Sequence, residues 1–316
     1  MKEVIIVKIA GLTWHEKMQK RMKTLIACIL ATGLMFTVLS CAPEREADDR
    51  VGVVVTVLPQ AEFVENVGGE KVNVTVLVPP GANPHTYEPK PVQMAALAEA
   101  EMYAKVGSGV EFELVWLDKL IATNKEMTVV DCSKGVELQE TGTEVEHEEE
   151  HKNHSRMDPH IWMSPLNAQI MVRNICDGLI EVDPENRSYY EQNRDDYLQR
   201  LAEIDRKMRD GLAEVKNRRF MVYHPAFGYF ASEYNLEMIT IEEEGKEPTA
   251  ASLVRLIEEV KAHDIRVIFA EPQFNPKSAE VIAEAIGGRV VLIDPLAKDY
   301  IGNLRIILSE MLPVME

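Results

Sequence analysis

From residue 51 onward, apolar runs of strand length alternate with segments of helical period. Residues 51–58 are almost unbroken β-branched sequence, 72–78 form a second such run, and 102–106 and 127–130 are shorter ones. Helical spacing occupies 60–67, 91–100 and 111–123, the last with Phe112, Val115, Trp116, Leu117 and Leu120 toward one side. The alternation returns near the C-terminus, with strands expected at 219–223, 236–241, 267–270 and 290–293 and helices at 249–262, 277–286 and 303–312. Apolar strands separated by helices of this length predict parallel sheets covered on both faces. The fold class is therefore α/β, with two βα lobes of about four strands each, one over 51–183 and one over 218–316.

The segment between the lobes, 184–217, has no proline after Pro184 and a single glycine, Gly211. Pro184 suits a first helical turn, with Asp183 as its cap. Tyr190, Tyr197, Leu198, Leu201, Ile204, Met208 and Leu212 recur at three- and four-residue steps and make one apolar stripe. About 33 residues rising 1.5 Å each give a rod of roughly 50 Å, long enough to run along both lobes. Two shorter helices broken near Gly211 are the alternative.

Upstream of the alternating region, Lys17, Lys20, Arg21 and Lys23 precede an uncharged, largely apolar stretch at 24–40. A basic head, an apolar core and a small residue before the cut have the form of an export signal. At about 17 residues the stretch is at the short edge of what spans a bilayer, so a transmembrane anchor is the competing reading. Val38-Leu39-Ser40-Cys41 resembles a lipoprotein cleavage box. On that reading 1–40 is a signal peptide, Cys41 is the lipid-modified first residue of the mature chain, and 41–50 is a polar tether at the outer face of the cell membrane. Residues 1–17 fit no part of a signal, so the start is expected at Met18 or Met22.

Lys2, Lys8, Lys17, Lys20, Arg21 and Lys23 outweigh Glu3 and Glu16 by four, so loss of the leader takes the net charge from −18 to −22. That argues against nucleic acid as a partner, because phosphates demand a basic face. Of four cysteines, Cys28 lies in the leader and Cys41 is the proposed lipid site. Cys132 and Cys176 remain, read as buried free thiols with a disulfide as the alternative. No C-x-x-C pair is present, which removes the thiolate zinc sites of fingers and ribbons.

Candidate chemistry lies in histidines beside prolines. His85 sits in Asn83-Pro84-His85-Thr86-Tyr87-Glu88-Pro89, His160 in Asp158-Pro159-His160-Ile161-Trp162, and His224 in Tyr223-His224-Pro225-Ala226-Phe227. Each lies at or within a few residues of an expected strand end. Imidazole is the commonest protein ligand for zinc, and three imidazoles with one carboxylate complete a four-coordinate shell. Asp294 in Ile293-Asp294-Pro295-Leu296 is the candidate carboxylate. A filled shell leaves no open position for a substrate water, and neither a His-Glu-x-x-His helix nor a Gly-x-Ser-x-Gly elbow occurs. Residues 144–154 pack His147, His151 and His154 among glutamates. Such a run cannot bury enough apolar surface to order itself, so it reads either as a solvated acidic loop or as a weak metal collector.

These motifs, in this order, resemble the zinc/manganese solute-binding proteins of ABC importers. The resemblance rests on Pro84-His85-Thr86-Tyr87-Glu88-Pro89, Asp158-Pro159-His160-Ile161-Trp162 with Pro165, the long central helix, Tyr223-His224-Pro225-Ala226-Phe227, Ala270-Glu271-Pro272-Gln273-Phe274 and Asp294-Pro295-Leu296. It implies one transition metal held in a cleft between lobes joined by a rigid helix, and delivery of that metal to a membrane permease. It further implies that His85, His160 and His224 are ligands, that Asp294 is the acidic fourth, and that Glu271 supports the cleft. Manganese-type members tend to carry a carboxylate at the third position, where this chain keeps His224. Three nitrogens suit Zn²⁺, whereas Mn²⁺ prefers oxygen-rich shells. The 144–154 run resembles the His-rich acidic loop of zinc-type members. The expected protein is a monomeric, lipid-anchored, extracytoplasmic zinc carrier and not an enzyme. A manganese-binding homologue, a secreted zinc-dependent hydrolase using Asp294 or Glu271 as base, and a surface adhesin on the same fold are the alternatives.

Overall fold

In a computed structural model of the chain, residues 18, 49–140, 157–243 and 245–315 are described. Apart from Met18, the expected signal peptide over 1–40 lies outside the described residues, as do Cys41 with most of the expected tether and the run carrying His147, His151 and His154. Among the described residues no helix is long and apolar enough to cross a membrane.

The β-branched runs become two four-stranded parallel sheets. The first has the order β2-β1-β3-β4, from β1 (Val51–Val55), β2 (Val72–Val76), β3 (Met102–Lys105) and β4 (Thr128–Asp131). The second repeats that order as β6-β5-β7-β8, from β5 (Arg219–Val222), β6 (Glu237–Thr240), β7 (Val267–Ala270) and β8 (Arg289–Leu292). Val51 pairs with Val72 and Val53 with Met102 in one sheet, and Met221 pairs with Ile268 in the other. The first strand stops at Val55 rather than running through residue 58. The cause is local: the Gln60 side-chain oxygen accepts from Thr56 N at 3.1 Å and Val57 N at 3.2 Å, turning the chain into helix α1 (Leu58–Gly68).

Helices α2 (Pro91–Ala98), α3 (Glu111–Thr123) and α4 (Pro165–Val182) complete the first half of the unit. Ser164 caps α4, its hydroxyl accepting from Asn167 N at 3.3 Å. After a 3₁₀ turn at Pro184–Asn186 comes the linking helix α5 (Arg187–Ala213). It runs unbroken through Gly211 for about 40 Å, shorter than the sequence predicts. Beyond it, Lys216 N and Asn217 N donate instead to Met315 O at 3.0 and 2.9 Å, at the end of the last helix. Helices α6 (Gly228–Glu233), α7 (Ala250–Ala262), α8 (Lys277–Ile286) and α9 (Tyr300–Met315) belong to the second half.

The buried stripe of α5, Tyr190, Tyr197, Leu201, Ile204, Met208 and Leu212, joins both sheets in one hydrophobic core. A separate cluster under α7 and α8 packs the other face of the second sheet, around Met221, Ile268, Leu256 and Ile282. Glu62 on α1 ties three parts together: it accepts from Tyr197 OH on α5 at 2.8 Å and from Tyr300 N at the start of α9. Arg50–Glu316 is thus one compact unit in which the two lobes share a core.

Candidate metal centre

Each candidate histidine follows the C-terminal end of a parallel strand, the rim where α/β sheets gather ligands. His85 lies in the loop after β2. The turn is set by Asn83, whose side-chain oxygen accepts from His85 N at 2.9 Å and whose backbone oxygen accepts from Tyr87 N at 3.0 Å. His160 lies beyond β4, its loop held by Ser108 Oγ donating to Pro159 O at 2.5 Å. His224 leaves the end of β5, and its backbone N–H donates to Glu271 Oε2 at 3.1 Å.

The three rings converge. His85 Nε2 stands 3.1 Å from His224 Nε2, which stands 3.3 Å from His160 Nε2. The ligand atoms of the three residues all lie within 4.8 Å of one another. Zinc–nitrogen bonds of 2.0–2.1 Å in a tetrahedron require nitrogens about 3.3–3.4 Å apart, close to the two Nε2 separations made by His224. His160 and His224 are buried and His85 is half-buried. The walls are apolar, from Pro84, Val110, Pro159, Trp162, Phe274 and Pro295. Phe274 stacks on His224 with ring centroids 4.6 Å apart, and Trp162 Nε1 donates to Pro295 O at 2.8 Å across the cleft.

Behind every ring stands a carboxylate. His85 Nδ1 is 2.7 Å from Glu111 Oε2, His160 Nδ1 is 2.8 Å from Asp158 Oδ1, and His224 Nδ1 is 2.8 Å from Glu242 Oε2. For His160 and His224, whose Nδ1 hydrogen-bonds its carboxylate, this fixes the tautomer, leaves the Nε2 lone pair for a metal, and makes that nitrogen more basic. Burial lowers the His224 pKa to about 4; the Glu242 hydrogen bond opposes this, while the other two histidines add to it. Its imidazole is therefore neutral at neutral pH, the form that binds a cation. Burial alone would raise the Glu111 pKa, but the hydrogen bond and charge of His85 outweigh it and hold the group below its ordinary value. Burial pushes Glu271 well above the carboxylate range, the His224 N–H partly relieves it, and repulsion from Glu242 and Asp294 adds to it.

Glu111 and Glu242 are partners that sequence reasoning missed; Glu242 follows the end of β6, the signal that picked out Asp294 after β8. Asp294 itself is not among the donors gathered at the centre. Its Oδ1 accepts from Gln273 Nε2 at 2.7 Å and from Leu296 N at 2.9 Å. Glu271 touches the His224 backbone and is fully buried behind it. Cys132 and Cys176 are buried free thiols, not a disulfide.

Comparison with known proteins places this arrangement. Residues 53–312 match the family described as zinc-uptake complex component A, periplasmic. The high-affinity zinc uptake system protein ZnuA of Bacillus subtilis is 34% identical over 255 residues, covering 78% of this chain and 79% of that protein. The zinc-binding lipoprotein AdcA of Streptococcus pneumoniae is 29% identical over 86% of this chain, which spans only 55% of its length. A crystal structure of ZnuA superposes with a TM-score of 0.79 at 40% identity, covering 85% of this chain and all of the other.

Proposed function

Because the chain belongs to the zinc-uptake complex component A family, we propose that it captures one Zn²⁺ outside the cytoplasm and delivers it to an ABC importer permease. The observation that carries this reading is the convergence of the three imidazoles, with His224 Nε2 at 3.1 and 3.3 Å from the other two Nε2 atoms and a carboxylate behind each ring. His85, His160 and His224 are the ligands. Asp294 closes the fourth position once its carboxylate exchanges the Gln273 amide for the metal. Three neutral nitrogens favour zinc over manganese, and the ion is cargo rather than a catalyst.

Capture requires no proton to leave His224, whose ring is already neutral, and little ordering of side chains that burial has fixed. The protein acts as a monomer, held at the membrane by a lipid on Cys41. Titration calorimetry on protein lacking residues 1–41 tests the central reading. It should show one tight zinc site that manganese at equal concentration does not displace; no zinc binding would overturn it.

The loop with His147, His151 and His154 serves as a weak collector that feeds the cleft. A loop loses conformational entropy on chelation, so its affinity falls well below that of a preformed site. Deleting residues 144–154 is expected to leave the tight calorimetric phase within about twofold and to abolish a weaker second phase, since none of the cleft ligands lies in the loop. Collapse of the tight phase would make the loop part of the site.

A further inference from the structure

We propose that Gly228 is a positioning residue for metal capture: by lacking a side chain it leaves room for the Asp158 carboxylate that orients His160. The inference rests on the zinc-capture reading above. A Cβ added at Gly228 would lie 2.3 Å from Asp158 Oδ2 and 3.5 Å from its Cγ, and no other atom crowds it within 4 Å. A carbon cannot approach an oxygen so closely, so one of the two must move.

Asp158 has little freedom to do so. Its Oδ1 accepts from both His160 N at 2.9 Å and His160 Nδ1 at 2.8 Å. Its backbone N–H donates to Gln139 O at 2.8 Å, and its backbone oxygen accepts from Tyr229 OH at 3.2 Å. The same Tyr229 hydroxyl accepts from Gln139 N at 3.0 Å, so α6 is pinned to this loop one residue from the glycine. The yielding element is the Asp158 side chain, and turning it breaks the bond that aims His160. Gly228 lies in the second lobe and Asp158 in the segment leading from the first into α4. The ligand geometry of His160 therefore depends on how closely α6 sits against that loop.

Helix propensity by itself favours alanine over glycine at the start of α6, so a loss on substitution reports the contact. Zinc affinities of the wild type, Gly228→Ala, Asp158→Ala and the double variant, with melting curves for each, test the proposal. Gly228→Ala should weaken zinc binding at least about tenfold, within the range seen when the group orienting a ligand is disturbed. In the Asp158→Ala background the same change should cost less than about twofold and leave the melting temperature equal or higher, because the clash is gone. Wild-type affinity in Gly228→Ala, or an equal loss in both backgrounds, would overturn the proposal. If Gly228→Ala fails to fold, a folded double variant binding like Asp158→Ala supports it, and a double variant that also fails to fold overturns it. A wild type that binds no zinc would sink the zinc reading itself, an outcome visible before any variant is compared.

Discussion

Zinc binding is expected to weaken by about 100- to 1,000-fold in His224→Ala, the largest effect of any single change. Structural zinc sites bind with roughly 10–16 kcal/mol shared over four ligands, so one lost ligand removes about 2.5–4 kcal/mol, and each 1.4 kcal/mol is tenfold. His224 is the extreme case because it stands between the other two, 3.1 Å from one Nε2 and 3.3 Å from the other. Its removal also strands the buried Glu242 carboxylate that its Nδ1 had satisfied. His85→Ala and His160→Ala should follow in the same direction. Competition against a chelator of known affinity measures the loss, with circular dichroism melting to confirm folding. Affinity within threefold of wild type would remove His224 from the shell.

Glu242→Ala is expected to lower zinc affinity by about 10- to 100-fold although Glu242 touches no metal. The carboxylate accepts the Nδ1 proton of His224, and without it the ring can rotate and carry its proton on Nε2, where zinc must bind. Glu242→Gln keeps a hydrogen-bond acceptor of the same shape but removes the charge, so its loss should be smaller. Equal losses in the two variants would point to the charge of the carboxylate, and away from its bulk or a neutral acceptor, as what His224 requires; affinity unchanged in Glu242→Ala would remove Glu242 from the site.

Much of the fold was legible because β-branched runs with no polar face have few alternatives to a parallel sheet. Residues 267–270 and 277–286 became β7 and α8 with the expected bounds. Helix α4 was not delineated in advance, although its buried Met171, Val172, Ile175, Cys176 and Leu179 carry a helical period. Gly178 near its end lowers the helical signal, and only the packing explains it. A Cβ there would lie 2.3 Å from Val130 Cγ2 and 2.9 Å from Met102 Sδ, so the helix sits directly on β3 and β4.

The three histidines were legible because a proline beside each marks a fixed loop, although only His224 leaves a strand end directly, β2 ending at Val76 and β4 at Asp131. Their carboxylate partners were not: even Asp158, two residues from His160, gives no local sign that it holds the ring. Glu111 and Glu242 come from other strand–helix units, and nothing in the local pattern joins a glutamate of α3 to a histidine after β2. Asp294 illustrates the opposite limit. Its position on the rim was clear from Ile293-Asp294-Pro295, yet Gln273 and Leu296 N direct its carboxylate, and which hydrogen bonds a rim side chain makes is decided in three dimensions.

X-ray absorption at the zinc edge, on protein lacking residues 1–41 loaded with one equivalent of zinc, tests the central claim most directly. The account predicts a nitrogen and oxygen shell at about 2.0–2.1 Å with the outer-shell scattering of three imidazoles, falling to two in His224→Ala. A sulfur shell near about 2.3 Å, or an imidazole signal unchanged when His85, His160 or His224 is replaced, would contradict it.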